Sequence, residues 1–273
     1  VRRTFNPRNH RVHAVMQKLL VRTQMANSLV CVGLDPTGDE ATVVARLREV
    51  VAQTSAYAAA FKPNLAFFLS RENGVALLKE TIQSIPHDIP VILDGKFGDI
   101  ANTADHYARF AYDVVGAGVT VNPYMGDDAI RPFARPGKLV FSLAKTSNHP
   151  RHGMQNAALT RGGTLSDCAA QIARLLDEEL IESTVGLVVG ATDPAAMAHV
   201  RAACLKQWFL VPGIGAQGGD LAATLKAGLR KDGSGLLINA SRSLWQAEDV
   251  GAAARELRDQ INEHRTAAVT RTS

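Results

Sequence analysis

Short apolar runs alternate with segments of helical periodicity along the chain. Apolar runs of about four to eight residues, rich in β-branched types, are typical of strands buried on both faces of a parallel sheet. The segments between them repeat apolar residues every three or four positions, which indicates helices that pack on one face. The predicted strands are 30–35, 59–64, 90–94, 118–122, 138–144, 185–190, 208–212 and 235–239, and the clearest predicted helices are 41–55, 74–84, 102–115, 165–181 and 249–264.

This repeated order of strand and helix predicts the fold class. Eight such units in 273 residues favour an α/β protein with a closed (β/α)8 TIM barrel, which usually takes about 250 residues. An open doubly wound sheet is the alternative, but no G-x-G-x-x-G motif follows the first strand. We expect one barrel domain over 1–273, with an additional N-terminal helix at 9–26 in an extension over 1–27, and a disordered tail over 266–273.

The basic character of the chain does not point to nucleic acid. The formal net charge is +4 and the sequence pI is about 9.1, but residues 1–34 contain six basic and no acidic side chains. The rest of the chain holds 24 basic and 26 acidic side chains, so a broad basic surface is not expected. We therefore predict no nucleic-acid partner.

Cysteine usage and hydropathy favour a cytoplasmic protein with no membrane contact. No run approaches the roughly 20 apolar residues that a membrane-spanning helix requires. Cys31, Cys168 and Cys204 are odd in number and far apart, which predicts reduced, buried, structural thiols. The N-terminus resembles a transit peptide in its arginines, but it lacks the serine enrichment of such a peptide.

Polar residues follow the apolar strands at nearly every strand end. The C-terminal ends of barrel strands form the active site of this architecture, so these side chains are expected to meet in one cavity. For any single residue, a satisfied polar group at a strand end is an equal alternative, and only the regular recurrence favours function. The candidates are Asp35, Lys62, Asp94, Lys96, Asn122, Tyr124, Lys145, Thr146, Ser147, Pro212, Gly213, Ile214, Gly215, Ser241 and Arg242.

The ends of the seventh and eighth predicted strands indicate a phosphate site. Barrels commonly bind phosphate with the loops after these strands and a helix N-terminus. Gly213, Gly215, Gly218 and Gly219 would let backbone N–H groups approach an anion, and Arg242 offers a bidentate fork. Without Arg242 the glycines would be ordinary turn residues, so this prediction depends on the arginine.

Charged residues concentrate after the third strand. Asp94 and Lys96 are two positions apart on a strand and are expected to share one face. Asp99 follows in the loop, before a helix that would begin near Asn102. Lys62 of the neighbouring strand completes an alternating Lys-Asp-Lys-Asp array, in which opposite charges keep each other ionised. A purely structural ion-pair network is the alternative interpretation.

These motifs, taken in order, resemble the orotidine 5′-phosphate decarboxylase family, and in particular its subgroup with longer chains. The central run is Asp94-x-Lys96-x-x-Asp99-Ile100-x-x-Thr103, and the resemblance covers about 28–265. The other matching blocks are V-G-L-D-P at 32–36, F-K-P-N at 61–64, V-N-P-Y at 121–124, K-T-S-N at 145–148, P-G-I-G-A-Q-G-G at 212–219 and S-R at 241–242.

The resemblance implies a homodimeric enzyme without metal or cofactor that converts orotidine 5′-monophosphate to UMP. Lys96 would protonate C6 of the pyrimidine, while Asp94 and the partner subunit's Asp99 would crowd the substrate carboxylate. Lys62 would hydrogen-bond the ribose and Asp94. The implied substrate-binding residues are Asp35 and Thr103 at the ribose, Ser147 at the pyrimidine, Gly215, Gln217 and Arg242 at the phosphate, and also Ile100 and Pro212, with Asp99 and Thr103 crossing the dimer interface.

Two other functions remain open. A related magnesium-dependent phosphosugar enzyme would share the Asp-x-Lys-x-x-Asp core but carry an acid on the second strand, where this chain has Lys62. A nucleotide-binding module without catalysis would be expected to lack a member of the charged array. The histidine pairs His10 with His13, and His149 with His152, are interpreted as solvated side chains and not as metal ligands.

Overall fold

Eight parallel strands close into a barrel in the computed structural model, which describes residues 14–114, 116, 118–148, 153–180, 183–215 and 217–270. The strand order is β2-β1-β8-β7-β6-β5-β4-β3, and two parallel bridges, Phe61 with Val91 and Asn64 with Asp94, join β2 to β3. This confirms the predicted fold. The strands are β1 (Val30–Leu34), β2 (Ala60–Pro63), β3 (Ile92–Phe97), β4 (Gly118–Val121), β5 (Leu139–Lys145), β6 (Thr184–Val189), β7 (Phe209–Val211) and β8 (Leu236–Ala240).

Helices surround the barrel and follow the strands. Asp and Thr side chains begin several of them by accepting backbone N–H bonds, as Asp39 does at α2 and Thr164 does in the capping box of α6. Four of the five clearest predicted helices agree with the structure within two residues. The helices are α1 (Ala14–Met25), α2 (Glu40–Thr54), α3 (Leu65–Leu69), α4 (Gly74–Ser84), α5 (Ala101–Val114), α6 (Leu165–Glu179), α7 (Pro194–Ala203), α8 (Leu221–Gly228), α9 (Arg242–Trp245) and α10 (Val250–Thr270).

The two chain ends differ in how they compare with expectation. The described part of the N-terminal helix is α1, and residues 9–13 lie outside the described residues. The disordered tail expected over 266–273 stays a prediction, although α10 continues to Thr270. The Thr266 hydroxyl donates to the Asn262 carbonyl at 3.0 Å, and the alanines that follow it favour helix. Residues 271–273 lie outside the described residues.

The core fills the barrel and the layer between strands and helices. Phe61 on β2, Phe141 on β5 and Phe209 on β7 are fully buried, and each such side chain stabilises the fold by about 2 kcal/mol. At the N-terminal ends of the strands, Arg22 of α1 donates to the Ala58 carbonyl at 2.9 Å and pairs with Asp88 at 2.8 Å. The helix α1 therefore closes the N-terminal end of the barrel, away from the predicted site.

The cysteines and the hydropathy agree largely with expectation. All three thiols are free, and Cys31 and Cys204 are buried. Cys168 is only half-buried, because it lies on the outer helix α6, where the Arg161 guanidinium is 3.0 Å from its sulfur. In the part of the chain that the structure describes, no helix combines the length and apolar character needed to cross a membrane.

Candidate active site

A cavity of about 530 Å³ opens at the C-terminal ends of the strands. Barrel geometry brings these ends together, because every parallel strand points the same way. Residues from the ends of β1, β2, β3, β5, β7 and β8 line the cavity. Eight of the twelve site residues that the family resemblance implied are among them, namely Asp35, Lys62, Asp94, Lys96, Ser147, Pro212, Gln217 and Arg242.

A Lys–Asp–Lys cluster forms the floor of this cavity. Lys62 Nζ donates to Asp94 Oδ2 at 2.8 Å, and Lys96 Nζ donates to Asp94 Oδ1 at 2.6 Å. The side chains of Lys62 and Asp94 are 5% and 9% exposed, whereas that of Lys96 is 48% exposed. Lys62 and Asp94 are thus largely buried in the cavity wall, and the Lys96 ammonium is the most exposed member of the cluster.

Thr120 on β4 completes the cluster, and sequence reasoning missed it. The Thr120 hydroxyl donates to Asp94 Oδ1 at 2.9 Å, and Thr120 Oγ1 accepts the Lys96 backbone N–H at 2.9 Å. Lys96 has a φ of +46°, a left-handed conformation that is uncommon for residues with a side chain, within a β3 whose pairing to β4 shifts register. The joint orientation of Asp94 and Lys96 therefore depends on this irregular backbone as well as on strand alternation. A hydroxyl inside an otherwise apolar strand was the available signal.

Mutual charge keeps the buried members ionised. Burial alone would raise the pKa of Asp94, but the ammonium groups of Lys62 and Lys96 outweigh burial and hold this pKa well below its usual range. Burial would likewise lower the pKa of Lys62, yet the carboxylates of Asp94 and Asp35 outweigh it and raise this pKa. Burial raises the pKa of the neighbouring Cys31 thiol to about 12, so this thiol stays protonated.

Two buried acceptors remain unpaired at the cavity wall. Asp35 Oδ1 and Asn239 Oδ1 have no hydrogen-bond partner within the described chain, although both residues line the cavity. A buried polar atom without a partner costs free energy, so such atoms are suited to accept from a bound hydroxyl or amide. Sequence reasoning missed Asn239 on β8, because a single amide within an apolar strand forms no recognisable motif.

The glycine-rich loop after β7 folds back on itself beside Arg242. The Gly218 N–H donates to the Gly215 carbonyl at 2.8 Å, and the Gly219 N–H donates to the Gly213 carbonyl at 3.0 Å. Gln217 and Arg242 line the cavity, whereas Gly215 is exposed outside it. Arg242 begins α9, and the other end of α9 is held by Arg46, which donates to the carbonyls of Trp245 at 2.6 Å and Ala247 at 3.0 Å.

Besides Gly215, three of the implied site residues lie outside the cavity of this chain, namely Asp99, Ile100 and Thr103. Asp99 makes no ion pair within the described residues, and its carboxylate accepts the Ile100 N–H at 2.8 Å. Ile100 is 55% exposed and Thr103 is exposed. The helix expected to begin near Asn102 begins at Ala101, because the Ile100 carbonyl already accepts the Thr103 and Ala104 N–H groups. The structure thus brings together Lys62, Asp94 and Lys96 but leaves Asp99 apart from them.

Metal ligation finds no support where the structure is described. In that part of the chain, no three His, Cys, Asp or Glu side chains are grouped so that they could hold a metal ion. The pairs His10 with His13, and His149 with His152, lie outside the described residues.

A closed barrel with a Lys–Asp–Lys cluster at its strand ends has the architecture of an α/β-barrel enzyme. The family model described as Orotidine 5'-phosphate decarboxylase / HUMPS family matches residues 28–257. The chain therefore belongs to this family, and its curated relatives make it a carboxy-lyase.

Relatives match almost the whole chain. An orotidine 5'-phosphate decarboxylase from Roseiflexus sp. (strain RS-1) is 42% identical over 86% of this chain and 92% of its own length. One from Azoarcus sp. (strain BH72) is 42% identical over 92% of this chain and 99% of its own. The solved structure of Leishmania donovani OMP decarboxylase has a TM-score of 0.84 and 46% identity, and covers 92% of this chain and 98% of that chain.

Replacing Asp94 by Asn should make the fold less sensitive to acid. The pKa of an aspartate in an unfolded chain is about 3.9, and the pKa of Asp94 in the folded chain is lower. The ionised carboxylate therefore contributes stability above the unfolded pKa, and this contribution is lost as the pH falls toward the folded pKa. Urea denaturation between about pH 5 and pH 2 should show a shallower loss of unfolding free energy in Asp94→Asn than in wild type.

The matched control for this measurement is Asp259→Asn, at an exposed carboxylate of α10. It should keep the wild-type pH dependence. Parallel curves for wild type and Asp94→Asn would contradict the assignment of a depressed pKa to Asp94.

Proposed function

We propose that this chain decarboxylates orotidine 5′-monophosphate to UMP and CO2, the last step of pyrimidine nucleotide synthesis, without a metal or cofactor. The observation that carries the proposal is the Lys62–Asp94–Lys96 cluster at the cavity floor, in a chain whose family is established. The similarity of this chain to orotidine 5'-phosphate decarboxylases supports this choice of substrate. Its free thiols suit a reducing cytoplasm.

Lys96 is the proposed proton donor. When CO2 leaves, the electron pair of the broken C–C bond stays on C6 of the pyrimidine, and no ring group delocalises it. The Lys96 ammonium attracts that pair more strongly in the transition state than in the ground state, and then transfers one proton to C6. Two hydrogen bonds support this role, because Thr120 fixes the Lys96 backbone and Asp94 fixes its ammonium.

The charge balance of the cluster suits a carboxylate substrate. Two lysines and one aspartate give the described cluster a net charge of one positive unit. A second carboxylate, proposed to be the partner subunit's Asp99, would repel the substrate carboxylate. Two such groups 4 Å apart cost roughly 4 kcal/mol at an effective dielectric near 20. That repulsion disappears as CO2 leaves, so it lowers the barrier.

The remaining residues are proposed to hold the nucleotide. Asp35, with its unpaired buried oxygen, would accept from a ribose hydroxyl, and Lys62 would bind the ribose beside it. Ser147 would hydrogen-bond the pyrimidine, with Pro212 forming part of the wall. The proposed phosphate ligands are Gln217, Arg242 and the backbone of Gly215.

Replacing Lys96 by Ala should abolish CO2 release from orotidine 5′-monophosphate while UMP still binds. The cavity and the residues proposed to bind the phosphate remain, whereas the proton donor is lost. Turnover would be followed in buffer containing EDTA, where wild type should keep full activity because Lys62 occupies the position at which a metal-dependent relative needs an acid. UMP binding without any wild-type turnover would favour the non-catalytic binding module, and loss of activity in EDTA would favour the magnesium-dependent alternative.

Replacing Arg242 by Ala should lower kcat/KM by about a hundredfold, which corresponds to about 2.7 kcal/mol of charge-assisted hydrogen bonding. Arg242 lies at the surface end of the cavity, so thermal stability should change little. Steady-state kinetics at low substrate would measure the effect. Arg255→Ala, at an exposed arginine of α10, is the control and should match wild type. Unchanged kcat/KM in Arg242→Ala would refute the phosphate assignment.

We further propose that two copies form the functional unit, with Asp99, Ile100 and Thr103 of each reaching the site of the other. Their exposure supports this, because Ile100 is a large apolar side chain that is 55% exposed beside a carboxylate without an ion pair in the described chain. In a twofold dimer the same surface is used by both copies. Asp99 and Thr103 would then cross the interface.

Mixing two inactive variants tests this arrangement. In a heterodimer of Lys96→Ala and Asp99→Ala, one site carries both substitutions and the other carries neither. Random reassociation should therefore restore about a quarter of wild-type activity, measured after co-unfolding and refolding or co-expression. Mixtures that stay as inactive as the separate variants would contradict an Asp99 contributed by the partner.

A further inference from the structure

Gln155 contacts the end of β5 from the following loop. The Thr146 backbone N–H donates to Gln155 Oε1 at 2.9 Å, and Gln155 Nε2 donates to Thr146 Oγ1 at 2.6 Å. The next residue repeats this pairing, because Asn156 accepts from the buried ammonium of Lys145. Two consecutive amide side chains therefore hold two consecutive residues where the strand enters the cavity wall.

The contact suits glutamine in particular. The Thr146 hydroxyl donates its own proton to the side-chain carbonyl of Asn148, so its oxygen needs a donor from elsewhere. The backbone N–H of Thr146 at the same time needs an acceptor. A primary amide supplies both groups from one side chain, whereas a carboxylate supplies only acceptors.

Ser147, the next residue along the chain, packs closely against two glycines of neighbouring loops. A Cβ at Gly190, just after β6, would lie 2.7 Å from Ser147 Cα, and a Cβ at Gly213, after β7, would lie 2.9 Å from Ser147 Cβ. Such distances are shorter than real contacts, so these glycines let the neighbouring loops press against Ser147. Gln155 restrains the residue before this packed position, because both of its hydrogen bonds are to Thr146.

We propose that Gln155 is a positioning residue for recognition of the base. It does not line the cavity itself, but it fixes Thr146 and thereby sets where the Ser147 hydroxyl meets the pyrimidine. This inference rests on the proposed function, in which Ser147 binds the ring. Its consequence is selective, because the residues proposed to bind the ribose and the phosphate lie on other elements and make no hydrogen bond with the Gln155 side chain.

The test compares a ligand that has a base with one that lacks it. Calorimetric titration of Gln155→Ala with UMP should show affinity reduced about tenfold, which is about 1.4 kcal/mol, while affinity for ribose 5-phosphate stays at the wild-type value. With orotidine 5′-monophosphate, kcat/KM should fall by a similar factor. Gln155→Glu keeps an acceptor for the Thr146 N–H and should fall between wild type and Gln155→Ala.

Gln260→Ala is the matched control. Within the described chain, the Gln260 side chain hydrogen-bonds only to Glu256 of its own helix. It should bind both ligands as wild type does. Equal losses for UMP and ribose 5-phosphate in Gln155→Ala, or UMP affinity like that of Gln260→Ala, would overturn the inference. If Gln155→Ala does not fold, the affinities of Gln155→Glu for UMP and for ribose 5-phosphate test the inference in the same way. Wild-type protein that neither binds UMP nor releases CO2 would overturn the proposed function itself.

Discussion

The site depends on one carboxylate shared between two lysines. Asp94 accepts hydrogen bonds from Lys62, Lys96 and Thr120, and its side chain is only 9% exposed. Removing one partner from a buried ion pair commonly costs about 3–5 kcal/mol, because the remaining charge is left unpaired. The cluster therefore holds its side chains in place before any ligand arrives, which is the preorganisation that electrostatic catalysis requires.

The barrel provides this preorganisation from several strands at once. Lys62, Asp94 and Thr120 come from β2, β3 and β4, so their mutual distances follow from strand pairing and not from local chain geometry. Contacts outside the cavity then hold the loops: Arg46 holds the end of α9 opposite Arg242, and Gln155 holds Thr146. The reactive groups lie on strands, and the residues proposed to recognise the ligand lie on braced loops.

A single chain supplies an incomplete set of the charges that the proposed mechanism uses. Asp99 belongs to the same short motif as Asp94 and Lys96, yet the turn into α5 directs it away from them. In the proposed dimer, this separation has a function, because a carboxylate from a second copy can be placed opposite the substrate carboxylate without disturbing the Lys–Asp–Lys cluster. Assembly would then be a condition for activity.

The sequence by itself determined the eight strand and helix units, because hydrophobic periodicity is a local property that burial on one or two faces imposes. It also determined that Asp94, Lys96 and Lys62 would meet, since strand ends in a barrel converge. Only the tertiary structure decided that Thr120 joins them, that Asn239 lines the same cavity, that Lys96 adopts a left-handed backbone, and that Gln155 reaches Thr146. It also decided that α10 continues to Thr270. The contacts of Thr120, Asn239 and Gln155 are made with other strands or loops, and the Lys96 backbone depends on its neighbours in an irregular strand, so no local pattern fixes them. The continuation of α10 is local, but helix propensity alone does not decide where a helix ends.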